Sequence, residues 1–333
     1  MTQVEALHSL LSHLDQQKCR PDSQWAFHHW QITKVTGGMN NLVYRAMLDT
    51  NEFAVKFTIQ DKRKRAQREY DALYALKEAG FLLAPQPILL DTESYTQPVV
   101  VQSWIQGQRL ETPPRSDIEW RKLIDHFLAI HGLTANESTV HLPEAVINCY
   151  DIPSSFDLVY NHLNLIPPTE RPASLTEIIN KLSQTTFPQW AKTTPVLCRV
   201  DANVLNIIKT TREWRSVDWE NSGWGDPAFE VADIITHPAY EGVSQARWHW
   251  VVEYYCARTS DPTTADRIRI YTFFMLVWWV VRITRYLYEV PRGKDMRLVG
   301  GNQDSVRWQA KRQEQFQHYL DLAWEQGKQD WGW

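Results

Sequence analysis

The sequence predicts an α+β, bilobal fold: a small N-terminal lobe with an antiparallel sheet and one key helix, then a large, mainly helical C-terminal lobe. Two patterns predict it. Strand-length apolar runs crowd into the first hundred residues, and helical periodicity takes over from about Asp117. The composition agrees. The 333 residues are 43% hydrophobic and 22% charged, the balance of a filled globular core rather than a disordered chain, and the length suits one large two-lobed unit.

The elements follow in order. Val4, Leu7, Leu11 and Leu14 recur at helical spacing and predict a short amphipathic helix over 2–16. Residues 30–35 alternate as a strand, 42–47 alternate again, and Phe53-Ala54-Val55-Lys56-Phe57 is a third strand after the turn residue Asn51. Gly37 and Gly38 sit in the turn between the first two strands. A helix over about 62–79 carries Ala66, Tyr70, Leu73 and Leu76 on its apolar face and stops at Gly80. Pro85 and Pro87 frame a strand at 88–90, and Val99-Val100-Val101 is a buried-type strand ending in Ser103-Trp104-Ile105-Gln106-Gly107. That segment divides the chain into an N-terminal lobe of residues 1–103, a hinge at 104–107 and a helical lobe over 108–333. One helix starts near Asp117. Residues 135–175 are Pro- and Asn-rich and weakly periodic, which predicts a long loop or insertion. A strand at 196–198, short strands near 207–208 and 214–217, and helices over roughly 228–237, 244–257, 264–286 and 305–326 complete the chain.

Bulk chemistry excludes several classes. The formal net charge is −4, without the basic footprint of a nucleic-acid binder. The run Lys62-Arg63-Lys64-Arg65 reads as a solvated helix start. Cys19, Cys149, Cys198 and Cys256 lie far apart with no CxxC pair, so neither a disulfide framework nor a zinc site is expected, and reduced thiols fit a cytoplasmic protein. Met1-Thr2-Gln3-Val4-Glu5 is not a basic segment followed by an apolar core, so no secretory signal is expected. The most apolar stretch, Tyr271 to Val281, is shorter than the roughly 20 residues that cross a bilayer and reads as a buried helix. The 16 tryptophans point to a large aromatic core.

Some residues break their local pattern in a way that chemistry explains. Lys56 interrupts an apolar strand, and a charge there needs a partner or ligand. Glu69 on the next helix is the candidate partner. Asp201 and Asn206 lie on a non-repeating segment after an apolar strand, and Asp218 ends another. A carboxylate and an amide oxygen are hard ligands suited to Mg²⁺, and a further carboxylate can accept or orient a hydroxyl proton. Glycines such as Gly37 and Gly38 let a backbone approach phosphate oxygens, although a hairpin needs such residues anyway. Cation, metal ligands, orienting carboxylate and cradle are together the requirements of phosphoryl transfer.

Residues 198–206, Val217-Asp218-Trp219-Glu220 and 223–232 resemble the aminoglycoside phosphotransferase / choline kinase-like family, whose fold is protein-kinase-like. Gly37-Gly38-Met39-Asn40-Asn41, Val55-Lys56, Arg68-Glu69 and the 104–107 hinge agree in order, so the resemblance spans about residues 27–240. It implies that Lys56, paired with Glu69, binds the phosphates of ATP or GTP. It implies that Ser103 and Ile105 offer backbone groups to the base, that Asp201 is the catalytic carboxylate, and that Asn206 and Asp218 hold Mg²⁺. Asp226 is expected to cap the next helix and brace the catalytic loop. The implied acceptor is a hydroxyl of a small molecule: an aminoglycoside, amino alcohol or sugar.

One departure matters. Arg199-Val200 stands where the family usually has His-Gly. Arginine can still brace backbone carbonyls, but its charge is expected to lower the pKa of Asp201, and valine restricts the backbone. A catalytically weakened nucleotide-binding module and a protein kinase are the competing readings. Glu220 is read either as an aid to a second ion or cationic acceptor, or as a structural surface carboxylate. Trp248, Trp250, Tyr254 and Tyr255 either line an acceptor pocket or pack a helix.

Overall fold

The structure, a computed structural model, describes residues 3–17, 23–35, 41–294 and 305–333. Strands β1 (Gln24–Phe27), β2 (Trp30–Val35), β3 (Leu42–Leu48), β4 (Asn51–Phe57), β5 (Pro87–Asp91) and β6 (Val99–Ser103) form one antiparallel sheet in the order β1-β2-β3-β4-β6-β5. The pleat sends alternate residues to opposite faces. Tyr44 and Ala46, Phe53, Val55 and Phe57, and Val99 and Val101 share one buried cluster. Helix α1 (Gln3–Gln16) covers it with Ala6, Leu7, Leu10, Leu11 and Leu14. Lys56, one residue out of phase with Val55 and Phe57, therefore faces the other way, toward helix α2 (Arg65–Glu78). Strand β1 escaped the sequence reading because its hairpin turns through His28 at φ 50° and His29, without the Asn-Gly or Asp-Gly pair that usually marks such a turn.

After Ser103 the chain runs through 104–107 into β7 (Gln108–Arg109), which joins β9 (Ile207–Lys209) and β10 (Trp214–Ser216) in the order β10-β9-β7. Gly107 presses on β9. A Cβ there would collide with the Lys209 carbonyl and the Ile208 side chain. Strand β8 (Val196–Cys198) pairs with β11 (Gly223–Gly225), and Gly223 is similarly held against the Pro143 carbonyl.

The remainder is helical: α3 (Asp117–His131), α4 (Ile152–Leu163), α5 (Ala173–Gln184), α6 (Pro227–Thr236), α7 (Gln245–Cys256), α8 (Thr264–Glu289) and α9 (Ser305–Trp331). The expected loop over 135–175 is corrected here, because α4 and the start of α5 lie inside it. Its prolines misled the reading. Pro153 occupies the first turn of α4, behind an Asp151–Ser154 capping box, and Pro172 precedes α5. The first turn of a helix has no use for the proton that proline lacks, so these prolines mark helix starts.

Helix α8 is apolar almost all round and packs against α4, α6 and α9. By length and composition alone, residues Thr264–Arg292 could cross a membrane, but 67% of the apolar window is buried inside the protein, in keeping with the expected buried helix. The basic run also reads differently in three dimensions. Arg65 is buried and meets Asp61 and Glu220, so only part of the run is solvated. Cys149, Cys198 and Cys256 are free thiols, and Cys19 lies outside the described residues.

Gly107→Ala forces backbone apart and is expected to cost about 1–3 kcal/mol, seen as a lower urea midpoint at unchanged m. His126 on α3 is buried beside Ser216. Burial, with the nearby Arg199 charge, lowers its pKa to about 3. The folded state thus holds fewer protons than the unfolded state below about pH 6.5, and stability falls as pH drops toward 3. Between pH 6.5 and 4.5 this residue alone accounts for a loss of roughly 2–3 kcal/mol, at about 1.4 kcal/mol per unit. His126→Gln is expected to shrink the drop in denaturation midpoint between those pH values by a corresponding amount.

Candidate active site

Strand β4 delivers Lys56 to the sheet face that α2 covers, and α2 supplies Glu69, whose Oε2 accepts from the ammonium at 2.7 Å. Both side chains are almost wholly buried. The segment after β10 brings Asp218 onto the same ammonium, and Glu220 Oε2 lies 3.6 Å from it. Burial alone would discharge Lys56, but the carboxylates of Asp218, Glu69 and Glu220 raise its pKa well above the usual lysine range. Burial raises Glu69 to about 7 against the pull of Lys56. Burial also works against Asp218, but Lys56, Arg199 and Arg65 override it and hold that carboxyl below its usual range.

Glu220 is therefore not a surface group. It accepts from Asn41 Nδ2 at 2.7 Å and pairs with Arg65. Glu69, Asp218 and Glu220 bring oxygens within 4.8 Å of one another, and Glu69 Oε1 is buried with no partner of its own. Hard oxygens of this kind suit a small divalent cation, although the Lys56 ammonium already sits among these three.

The second half of the site is the loop from Arg199 to Asn206. Asn206 Nδ2 donates to Asp201 Oδ2 at 3.0 Å, which turns the amide oxygen of Asn206 away from that contact. Fully buried Arg199 reaches the carbonyls of Val217, at 3.2 Å, and of Asp201. It thus ties the loop to the strand end that carries Asp218, as a bracing arginine should. Its expected effect on Asp201 does not prevail. Burial raises the Asp201 carboxyl to about 6, with Asp218 and Glu220 adding to the push and Arg199 pulling back.

The backbone here is strained. Val200, Asp201 and Asp218 have φ of 52°, 119° and 66°. A β-branched residue at positive φ is a true outlier, costing on the order of 1–3 kcal/mol. Val200 is held there by two things: its N–H donates to Glu230 Oε1 at 2.7 Å, and its side chain packs with Ala145, Val196 and Cys198. Glu230 also meets His131 Nε2 at 2.8 Å, and His131 Nδ1 meets the Tyr255 hydroxyl at 2.7 Å. The Ala202 N–H donates to Asp233 at 3.3 Å.

Of the residues singled out by sequence, Lys56, Glu69, Asp201, Asn206 and Asp218 come together. Asp226 caps α6 by accepting from the Ala228 N–H at 2.9 Å, and it pairs with Arg267 and Tyr271. Gly37 and Gly38 lie outside the described residues. Ser103 and Ile105 sit at the end of β6, away from the charged cluster. Ser103 opposes Phe53 while Lys56 opposes Val100, three positions along, or about 10 Å. The Ser103 N–H is already spent on the Gln86 carbonyl, at 2.9 Å, so only its carbonyl could serve a ligand.

The aromatic group divides. Tyr255 belongs to the Glu230 network, Trp250 and Tyr254 stack on each other under Arg247 and Arg258, and Trp248 packs edge-on to Trp120 and Tyr240. Sequence reasoning missed His131, Glu230, Asp233 and His237. Glu230 stood inside the quoted 223–232 segment, but a carboxylate on an apolar helix face was the only sign of its role.

The sequence profile of the phosphotransferase enzyme family matches residues 31–264. No curated protein matches the chain. Among solved structures, a choline/ethanolamine kinase family protein from Mesorhizobium loti is similar at 15% identity and TM-score 0.61, covering 96% of this chain and 95% of that one. Choline kinase from Streptococcus pneumoniae is similar at 16% identity and TM-score 0.55, covering 95% and 99%. A spectinomycin phosphotransferase in complex with ADP and spectinomycin is similar at 14% identity and TM-score 0.61, covering 96% and 98%. At these identities the likeness shows the fold, which is protein-kinase-like.

Removing Arg199 leaves two part-buried carbonyls without this donor and a void beside Asp201. Arg199→Ala is expected to cost about 2–4 kcal/mol, measured by chemical denaturation at pH 7. An unchanged midpoint would show that the loop holds its shape without the bracing guanidinium.

Proposed function

The chain belongs to the phosphotransferase enzyme family, and from that premise we propose that it moves the γ-phosphoryl group of ATP or GTP to a hydroxyl of a small molecule. The proposed acceptors are aminoglycoside-, amino-alcohol- or sugar-like. The observation that carries the reading is the meeting of Lys56, Asp218, Asp201 and Asn206 between the sheet and the helical region. Family membership supports the reaction class, and ADP in the spectinomycin phosphotransferase supports a nucleotide co-substrate.

In this reading Lys56, kept cationic by its carboxylates, binds nucleotide phosphate, and Glu69 keeps the ammonium on station. The carbonyl of Ser103 and the backbone of Ile105 receive the base, and Gly37 and Gly38 are the proposed phosphate-binding glycines. Asp218 and the amide oxygen of Asn206 would hold Mg²⁺, with Glu220 close by. When bound, the ion would neutralise charge on the transferring phosphoryl group. Asp201 accepts the acceptor's proton. Burial, by lifting its pKa toward neutrality, makes it a better base than an exposed aspartate would be. The Lys56–Asp218 contact holds the two halves of the site together until phosphate takes its share of the ammonium.

The deciding experiment incubates the protein with γ-labelled ATP, Mg²⁺ and a metabolite extract, then identifies the labelled product by mass. Wild type is expected to give a small phosphorylated alcohol. Asp201→Asn is expected to lose about 10²–10⁴-fold in turnover while binding nucleotide normally. Nucleotide binding with no labelled product, and no difference between wild type and Asp201→Asn, would favour the non-catalytic module. Label found in polypeptide would instead favour a protein kinase.

A further inference from the structure

His237 follows α6 directly and was not among the residues that the motifs pointed to. Its Nδ1 accepts from the Ala239 N–H at 3.1 Å, capping the short turn at Pro238–Tyr240. An imidazole whose Nδ1 accepts carries its proton on Nε2 when neutral. Burial keeps the ring neutral by lowering its pKa, helped by Arg199 and resisted by Asp233. The Nε2–H is therefore a fixed donor, and it lies 3.9 Å from Asp201 Oδ1.

That gap is too long for a direct hydrogen bond and suits one inserted oxygen. An oxygen about 2.8 Å from both atoms sees them about 90° apart across this separation, near the angle between a hydroxyl's proton and its lone pair. His237 also lines a cavity of about 570 Å³, together with Tyr240, Trp248, Glu241 and Tyr319 among others. Tyr240 is 2% exposed, and its hydroxyl has no hydrogen-bond partner.

We propose that His237 is the acceptor-orienting residue, its Nε2–H donating to the oxygen of the acceptor hydroxyl as that hydroxyl gives its proton to Asp201, with the rest of the acceptor in the cavity that His237 lines. This deepens the phosphotransferase reading and rests on it. The hydroxyl has one proton and two lone pairs. The proton goes to Asp201, and His237 occupies one lone pair. The remaining lone pair forms the new O–P bond while the bond from Pγ to the β-phosphate bridging oxygen breaks, its electrons leaving with the nucleoside diphosphate. Fixing two of the oxygen's three directions aims the third, which is where positioning acts on rate.

A crossed pair of variants separates orientation from mere capping. Asn is a good cap, and in His237→Asn its Oδ1 takes the place of Nδ1 while the distal donor is lost. In His237→Gln an amide N–H reaches toward the Nε2 position while the cap is lost. Both are compared with wild type in Mg-ATP hydrolysis, where water is the acceptor and none need be identified, and in transfer to the alcohol found by the extract screen.

The expected result for His237→Asn is a fall in kcat of about 10–100-fold, with Mg-ATP affinity and thermal midpoint near wild type. His237→Gln is expected to keep kcat within about fivefold despite a lower midpoint. A full-rate Asn variant, or a Gln variant that is the slower of the two, overturns the proposal. A wild type that binds Mg-ATP but neither hydrolyses nor transfers it overturns the phosphotransferase reading itself, and the role of His237 with it.

Discussion

One buried cation holds the site together. Lys56 is charged inside the protein because three carboxylates, from α2 and from the segment after β10, surround it. Each of those carboxylates in turn is tolerable there only because of Lys56 and Arg65. Buried ion pairs of this kind add little net stability over apolar packing, since desolvation consumes most of the Coulombic gain. Their effect is to specify geometry. With Lys56 fixed by strand register and Glu69 by helix phase, Asp218 has one place to go, and the sheet and the helical region are locked in one relation.

The same accounting explains why the site is receptive. Glu69, Asp218 and Glu220 crowd around Lys56 and Arg65, burial raises Glu69 to about 7, and one Glu69 oxygen has no partner. A buried carboxyl in that position gains from any cation brought close to it. The metal and nucleotide expected of this family bring charge of both signs, which such a cluster can redistribute.

Behind the site a second layer holds an unfavourable loop. Val200 sits where glycine would be at ease, and the Glu230–His131–Tyr255 chain pins its amide. Arg199 grips the other side through two carbonyls. Arg199 and Val200 thus come with a bracing set that holds the loop in place. Arg199 does not depress Asp201 as its charge alone would, because burial outweighs it.

Much of this was legible in one dimension. The period-2 and 3.6-residue patterns set the sheet, the major helices and the buried face of each, because side-chain direction follows directly from backbone repeat. A lysine out of phase with its apolar neighbours announced itself, as did the ordered spacing of Asp201, Asn206 and Asp218. The helices within 135–175 were hidden because proline reads alike in loops and first turns, and β1 because its turn lacks glycine.

The rest required tertiary structure. Burial decided the Asp201 pKa, the role of Glu220 and the unsatisfied Tyr240 hydroxyl, and no local pattern encodes burial by distant segments. The approach of His237 to Asp201 joins residues 36 apart through the placement of α6. Sequence determined which groups could do the chemistry. Only packing decided which of them are dry, which are paired, and which still lack a partner.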